Sequence, residues 1–232
     1  MNNNRLLLSL LMTSITGPAF ADDDEYKFTQ TDIDFARVED ELVFTWDSEV
    51  RVGGDSNRFW FKSEGEVEGG MVEEAEIQAL YGRYIGRDFD VQAGVRHDFR
   101  PNEFGQTTYF VIGLQGNTPY DFEVEVPLFV SENGDVSFRP EVEYEIEVTD
   151  DLAAEIYFEA NFYLTQNPGQ MIGKGLTEID TGVKIQYEIW RGFAPYIDFN
   201  HVRSFGIAKT EALSEDEKTK DLIIRLGARI TY

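Results

Sequence analysis

The chain has 232 residues, with 44 acidic against 20 basic side chains and a formal net charge of −24. Such an excess of acid repels nucleic acid and anionic surfaces and attracts cations. Cysteine is absent, which excludes a disulfide framework, a cysteine-based zinc site and thiol catalysis.

Residues 1–21 read as a secretory signal peptide. Arg5 precedes an apolar run from Leu6 to Leu11 that continues weakly to Ile15, and Ala19-Phe20-Ala21 is a small-x-small cleavage site. The run is too short to cross a bilayer as a helix. Residues 22–232 are expected to form a single β-barrel domain, one charge more acidic once Arg5 is removed. No later stretch has the apolar length of a membrane-spanning helix, so a membrane span must be made of strands.

From Lys27 onward, alternating segments of about ten residues are separated by turn signals, as in a barrel. The first, Lys27 to Arg37, is weakly apolar, through Phe28, Ile33 and Phe35. Leu42 to Val52 sets Leu42, Phe44, Trp46, Val50 and Val52 against Glu41, Thr45, Asp47, Glu49 and Arg51. After the turn Gly53–Ser56, Arg58 to Val67 places Phe59, Phe61 and Val67 outside and Arg58, Lys62, Glu64 and Glu66 inside. Beyond Gly69-Gly70, Ala75, Ile77, Ala79 and Tyr81 alternate with Glu74, Glu76, Gln78 and Gly82. Phe89, Val91, Ala93 and Val95 then alternate with Asp90, Gln92, Gly94 and Arg96.

Further segments run from Tyr109 to Gly116, Phe122 to Val130, Val136 to Val148, Leu152 to Leu164, Ile179 to Ile189 and Pro195 to Phe205. The last, Asp221 to Tyr232, puts Leu222, Ile224, Leu226, Ala228, Ile230 and Tyr232 on one parity and Asp221, Arg225, Gly227, Arg229 and Thr231 on the other, where Ile223 is the one apolar exception. That makes twelve strands, an even number, and an all-β, transmembrane, antiparallel up-and-down β-barrel.

Loop lengths support one orientation. With the amino terminus periplasmic, the turns Gly53–Asn57, Ile85–Asp88, Asn117–Asp121, Thr149–Asp151 and Arg191–Ala194 are periplasmic and short. The long connections Arg100–Gln106, Thr165–Leu176 and Gly206–Thr219 fall on the opposite side, where extracellular loops belong. Aromatics near the periplasmic turns (Tyr84, Phe89, Tyr120, Phe122, Trp190, Phe193, Tyr196, Tyr232) and near the outer ends (Phe99, Tyr109, Phe110, Phe162) suggest two interfacial girdles. A water-soluble all-β protein with an aromatic core accounts for neither the loop asymmetry nor twelve successive one-faced strands.

The inward parity is mostly charged. Glu64, Glu66, Glu74 and Glu76 form an acidic path on either side of the Gly69-Gly70 turn, and more acid follows on Glu123, Glu125, Glu141, Glu143, Glu145, Glu155 and Glu159. Facing carboxylates destabilise a sheet unless neutralised. Arg58, Lys62, Arg96, Arg139, Lys184, Arg225 and Arg229 share the inward parity and can supply that neutralisation. Either a salt-bridged polar filling or a cation path follows, since rings of carboxylates select cations. No enzymatic activity is expected. A Ser-His-Asp site would have to use His97 or His201, and His97 and Asp98, as strand neighbours, point to opposite faces.

Two longer blocks carry a resemblance: WDSEVRVGGDSNRFWFKSEGEVEGG (Trp46 to Gly70) and EEAEIQALYGRYIGRDFDVQAGVRHDFRP (Glu73 to Pro101). With FEVEVPLFVSENGDVSFRPEVEYE (Phe122 to Glu145) and YEIWRGFAPYIDFN (Tyr187 to Asn200), they closely resemble the copper resistance protein B family. The resemblance runs from about Thr29 to Tyr232, and several ordered blocks are more specific than any one motif. It implies a barrel in the outer membrane of a Gram-negative bacterium that contributes to copper tolerance by binding copper or passing it across that membrane. It also implies outer-membrane lipid, the barrel-assembly machinery and periplasmic copper-handling proteins as partners, and no nucleic acid.

The chain departs from the family in one respect. Many members carry a Met- and His-rich segment before the barrel, whereas here only Asp22 to Phe28, acidic and Met-free, precedes the first strand. The soft copper ligands beyond the leader are Met71, Met171, His97 and His201, expected at the extracellular end, with Asp98 beside His97 as a further donor. Both histidines fall on the outward parity, so serving the pore would require a bulge or an end-of-strand twist. Besides a copper-tolerance barrel, a structural or general cation-permeable barrel remains open, and a lipid-modifying barrel enzyme is disfavoured.

Overall fold

The computed structural model describes residues 26–38, 41–101, 105–166, 173–206, 210 and 220–232. Residues 1–25, where the sequence leads one to expect a leader, and parts of the three long connections lie outside the described residues.

Alternating sequence becomes one antiparallel sheet. Its strands are β1 (Tyr26–Val38), β2 (Glu41–Gly53), β3 (Asn57–Glu68), β4 (Met71–Gly86), β5 (Phe89–Arg100), β6 (Gly105–Asn117) and β7 (Phe122–Ser131). There follow β8 (Val136–Phe138), β9 (Glu141–Glu147), β10 (Leu152–Tyr163), β11 (Gly175–Tyr187), β12 (Phe193–Ser204) and β13 (Lys220–Thr231). β8 and β9 both pair with β7 and β10 and are two halves of one stave, interrupted at Arg139-Pro140. Pro140 has no N–H to give to a ladder. β13 pairs with β1, so the sheet closes into a barrel of twelve staves with no free edge.

The turns follow the expected parity. Both described termini lie at the end with the short turns, and the three long connections leave the opposite end. Gly69 and Gly70 take φ of 57° and 85° in the β3–β4 hairpin, the left-handed region that a tight hairpin requires.

The outer surface is a continuous apolar band. Leu42, Ile77, Val95, Phe110, Leu222 and Leu226 are exposed there, more apolar surface than a water-soluble monomer presents and as expected of a face toward lipid. Cross-strand aromatic pairs reinforce it, including Phe35–Phe44 at 5.0 Å, Phe122–Tyr144 at 4.7 Å and Phe138–Phe162 at 4.7 Å between ring centroids. Tyr120, Trp190 and Tyr232 are exposed at the short-turn end, as a girdle requires.

Three of the expected girdle residues face the lumen instead. Tyr196 is buried and its hydroxyl donates to Asp34 Oδ2 at 2.7 Å, Tyr109 packs on an interior cluster, and Tyr84 lies under the Arg58 guanidinium. Their parity follows the inward charges, and nearness to a strand end does not override it. Phe28 also turns inward, under Arg51 at 5.0 Å.

Part of the interior is apolar. Trp60, Leu80, Val111 and Phe129 form a buried cluster on β3, β4, β6 and β7. Register aligns them in one row, Trp60↔Leu80↔Gly94↔Val111↔Phe129, with Gly94 leaving room for Leu80. This row packs at one level across five neighbouring staves, and Phe129 borders the larger cavity of the lumen.

Candidate functional site: a carboxylate-lined lumen

Two rows of acid face the lumen, and strand register builds both. In the first, Asp32↔Asp47↔Glu64↔Glu76↔Asp98 runs across five consecutive staves, β1 to β5. In the second, Glu125↔Glu141↔Glu159↔Asp180 runs across β7, β9, β10 and β11. Directly opposed like charges repel, so each row needs cations.

Those cations reach across the barrel. Arg139, on the interrupted stave, bonds Glu64 at 2.8 Å and Glu76 at 3.1 Å, and its Nε lies 3.6 Å from Glu159. Lys62 pairs with Glu125, four staves away. Arg96 bonds Asp98 and Glu76, each at 2.6 Å. On the other side, Arg229 bonds Asp32 at 2.8 Å and Glu155 at 2.7 Å, and Lys184 bonds Asp32 at 2.6 Å. Arg225 lies 3.7 Å from Asp34 and 3.5 Å from Asp198, and Arg58 pairs with Asp90. Every basic partner expected from parity therefore holds at least one lumen carboxylate.

Two tyrosines fix the wall on the far side by the same device. Tyr157 lies over Gly182 of the next stave, where a Cβ would come within 2.3 Å of its ring, and donates to Asp198 on the stave beyond at 3.0 Å. Tyr196 lies over Gly227 and reaches Asp34 in the same way. The missing side chains are what let each ring lie flat and span two staves.

Between the two ion-pair groups lie acids that no cation holds. Among the described residues, Asp47, Glu141 and Glu143 have neither a salt bridge nor a side-chain hydrogen bond. They line two cavities of the lumen, one of about 710 Å³ toward the long-loop end and one of about 230 Å³ toward the short-turn end. The boundary between the cavities is thus a belt of carboxylates, three of them outside any salt bridge.

Of the acids expected to form the path, Glu64 and Glu76 belong to this belt. Glu66 and Glu74 face each other nearer the long-loop rim, where Glu74 meets Arg100 at 3.1 Å. Asp32, Asp47, Asp98 and Asp180 complete the rows through register, which the alternation of a single strand does not reveal.

The soft-ligand candidates do not converge. His97 is on the outer face with Nδ1 3.0 Å from Thr108 Oγ1, while the neighbouring Asp98 points inward to Arg96. His201 is exposed on β12, six staves from β5 in either direction. Met71 is exposed at the β3–β4 hairpin, and Met171 lies outside the described residues. Among the described residues, no three His, Asp or Glu side chains are grouped so as to hold a metal ion.

A closed, twelve-stave barrel with an apolar exterior and a charged lumen defines an outer-membrane β-barrel with a porin-like fold. Solved porins share the fold: NanC porin aligns over 87% of this chain and 98% of its own with a TM-score of 0.60 at 12% identity. KdgM porin aligns over 88% and 99% with a TM-score of 0.57 at 14% identity. Within that class the chain belongs to the family described as Copper resistance protein B precursor (CopB), which matches residues 26–232. Copper resistance protein B of Escherichia coli is 37% identical over 200 residues, covering 86% of this chain and 67% of the relative. The copper resistance protein B homolog of Pseudomonas syringae pv. tomato (strain ATCC BAA-871 / DC3000) is 34% identical over 205 residues, covering 88% and 69%.

Proposed function

We propose that this barrel contributes to copper resistance by letting copper ions, as cargo, pass through its acid-lined lumen in the outer membrane of a Gram-negative bacterium. The observation that carries the reading is the belt between the two cavities where Asp47, Glu141 and Glu143 face the lumen outside any salt bridge. Unneutralised carboxylates around a water-filled path draw in cations and repel anions. The path holds the ion loosely, because carboxylates are hard ligands and bind copper through charge more than through preference. Export by the leader, insertion by the barrel-assembly machinery, and transfer to or from periplasmic copper-handling proteins belong to the same reading.

The test is copper sensitivity of a deletion strain complemented with the wild-type chain or with the triple variant Asp47→Asn, Glu141→Gln, Glu143→Gln. Wild type should restore growth on copper and the variant should not, at equal amounts in the outer membrane. Full complementation by the variant would remove the lumen from the mechanism. A second reading, a general cation-permeable barrel, is favoured by the outward placement of both histidines. It predicts equal changes in zinc and cobalt sensitivity.

A further inference from the structure

Arg139 is placed unlike any other lumen cation. It sits at the break between β8 and β9, next to Pro140, on a stave that faces β3 and β4 across the lumen. Its guanidinium bonds Glu64 and Glu76 of the first acid row and approaches Glu159 of the second. Among the described residues it is the one cation paired with both rows. It also lines both cavities, and so stands in the passage between them.

The surroundings hold it there. The guanidinium carbon lies 5.7 Å from the centre of the Phe129 ring, part of the apolar row. Its backbone N–H donates to Pro127 O at 3.2 Å, and Pro140 O accepts from Ala160 N at 3.1 Å, so the interrupted stave is still tied to both neighbours. A planar, permanently charged group anchored by carboxylates from opposite walls is a rigid crossbar, unlike a mobile side chain.

We propose that Arg139 is the constriction and selectivity residue of the lumen. Its guanidinium bars the route from the larger to the smaller cavity. What passes must move along the side of Asp47, Glu141 and Glu143, so the remaining aperture is narrow and acid-lined. The charge of Arg139 offsets part of the acid rows, and so limits how strongly the pore prefers cations. This rests on the lumen being a cation path, and its test uses no copper, so the two can fail separately.

The experiment is single-channel recording of the purified, refolded chain in planar bilayers with a potassium chloride gradient. Arg139→Ala should raise conductance by roughly a factor of two or more and shift the reversal potential toward stronger cation preference, since Glu64 and Glu159 lose their counter-charge and Glu76 keeps only Arg96. Arg139→Lys should keep a reversal potential near wild type. Folding is checked by the difference in gel mobility between unboiled and boiled samples. If Arg139→Ala does not fold, Glu159→Gln, which frees the crossbar from one wall, should still raise conductance. A folded variant with wild-type conductance and wild-type reversal potential overturns the proposal. Altered conductance together with unaffected copper tolerance in the triple acid variant would leave the constriction standing and end the copper reading.

Discussion

Thr29 and Tyr232 exchange two backbone hydrogen bonds, Thr29 N to Tyr232 O and Tyr232 N to Thr29 O, each 2.8 Å. This pair extends the β1–β13 ladder to the last residue and ties the first stave to the last. Removing β13 would strip ladder partners from both β1 and β12, exposing two edges that a bilayer cannot satisfy. A chain truncated before Lys220 should therefore be lost from the outer membrane. The full chain should run at different positions on a denaturing gel before and after boiling. Normal membrane levels of the truncated chain would show that closure is dispensable.

The flat seating of Tyr157 on Gly182 makes a steric prediction. A side chain at Gly182 would collide with the ring, which could escape only by giving up Asp198 and Asn200. Gly182→Val should cost about 1–3 kcal/mol, the usual range for overpacking. Combined with Tyr157→Ala, the loss should be smaller than the sum of the two single losses. Urea unfolding in lipid vesicles measures both, and strict additivity would mean that the ring and the glycine act independently.

The cross-lumen pairs should differ sharply in weight. Arg229 and its partners Asp32 and Glu155 are all shielded from solvent, whereas Glu74, opposite Arg100, is more than half exposed. Arg229→Met should cost about 3–5 kcal/mol, because two buried carboxylates are left to share Lys184 alone. Arg100→Met should cost no more than about 1 kcal/mol. Similar losses in the two variants, by the same unfolding assay, would contradict the burial argument.

His97 and His201 stand on opposite sides of the barrel exterior, too far apart to share an ion. Copper titrations of the detergent-solubilised barrel should find that His97→Ala and His201→Ala have independent, additive effects. A double variant losing far more than the two single losses combined would require the side chains to meet, for example across two copies of the chain.

The staves, their order and the parity of their side chains were legible because a barrel strand repeats every two residues and each turn carries its own chemistry. Arg58, Lys62, Arg96, Arg225 and Arg229 were placed in the lumen on that ground alone. The acid rows were not legible. That Asp47 lies between Asp32 and Glu64 depends on the register of two hairpins, and the β3–β4 ladder itself slips at Glu66/Val67. Trp60 went unnoticed as an interior residue because it lies between Arg58 and Lys62, in a strand whose other aromatics face out. Tyr109 and Tyr196 turn inward because parity, not nearness to a strand end, sets the face of a strand residue.

The strap from Arg139 to both walls also constrains how this lumen can diverge among relatives. Losing the arginine alone strands Glu64 and Glu159 and leaves Glu76 to Arg96, and losing one carboxylate loosens the arginine, so neither single step is neutral. Viable change at this level should come in matched sets, with Arg139 exchanged together with residues at positions 64, 76 and 159. Relatives should then fall into a few discrete lumen types, each with its own permeability, and intermediates between them should be scarce.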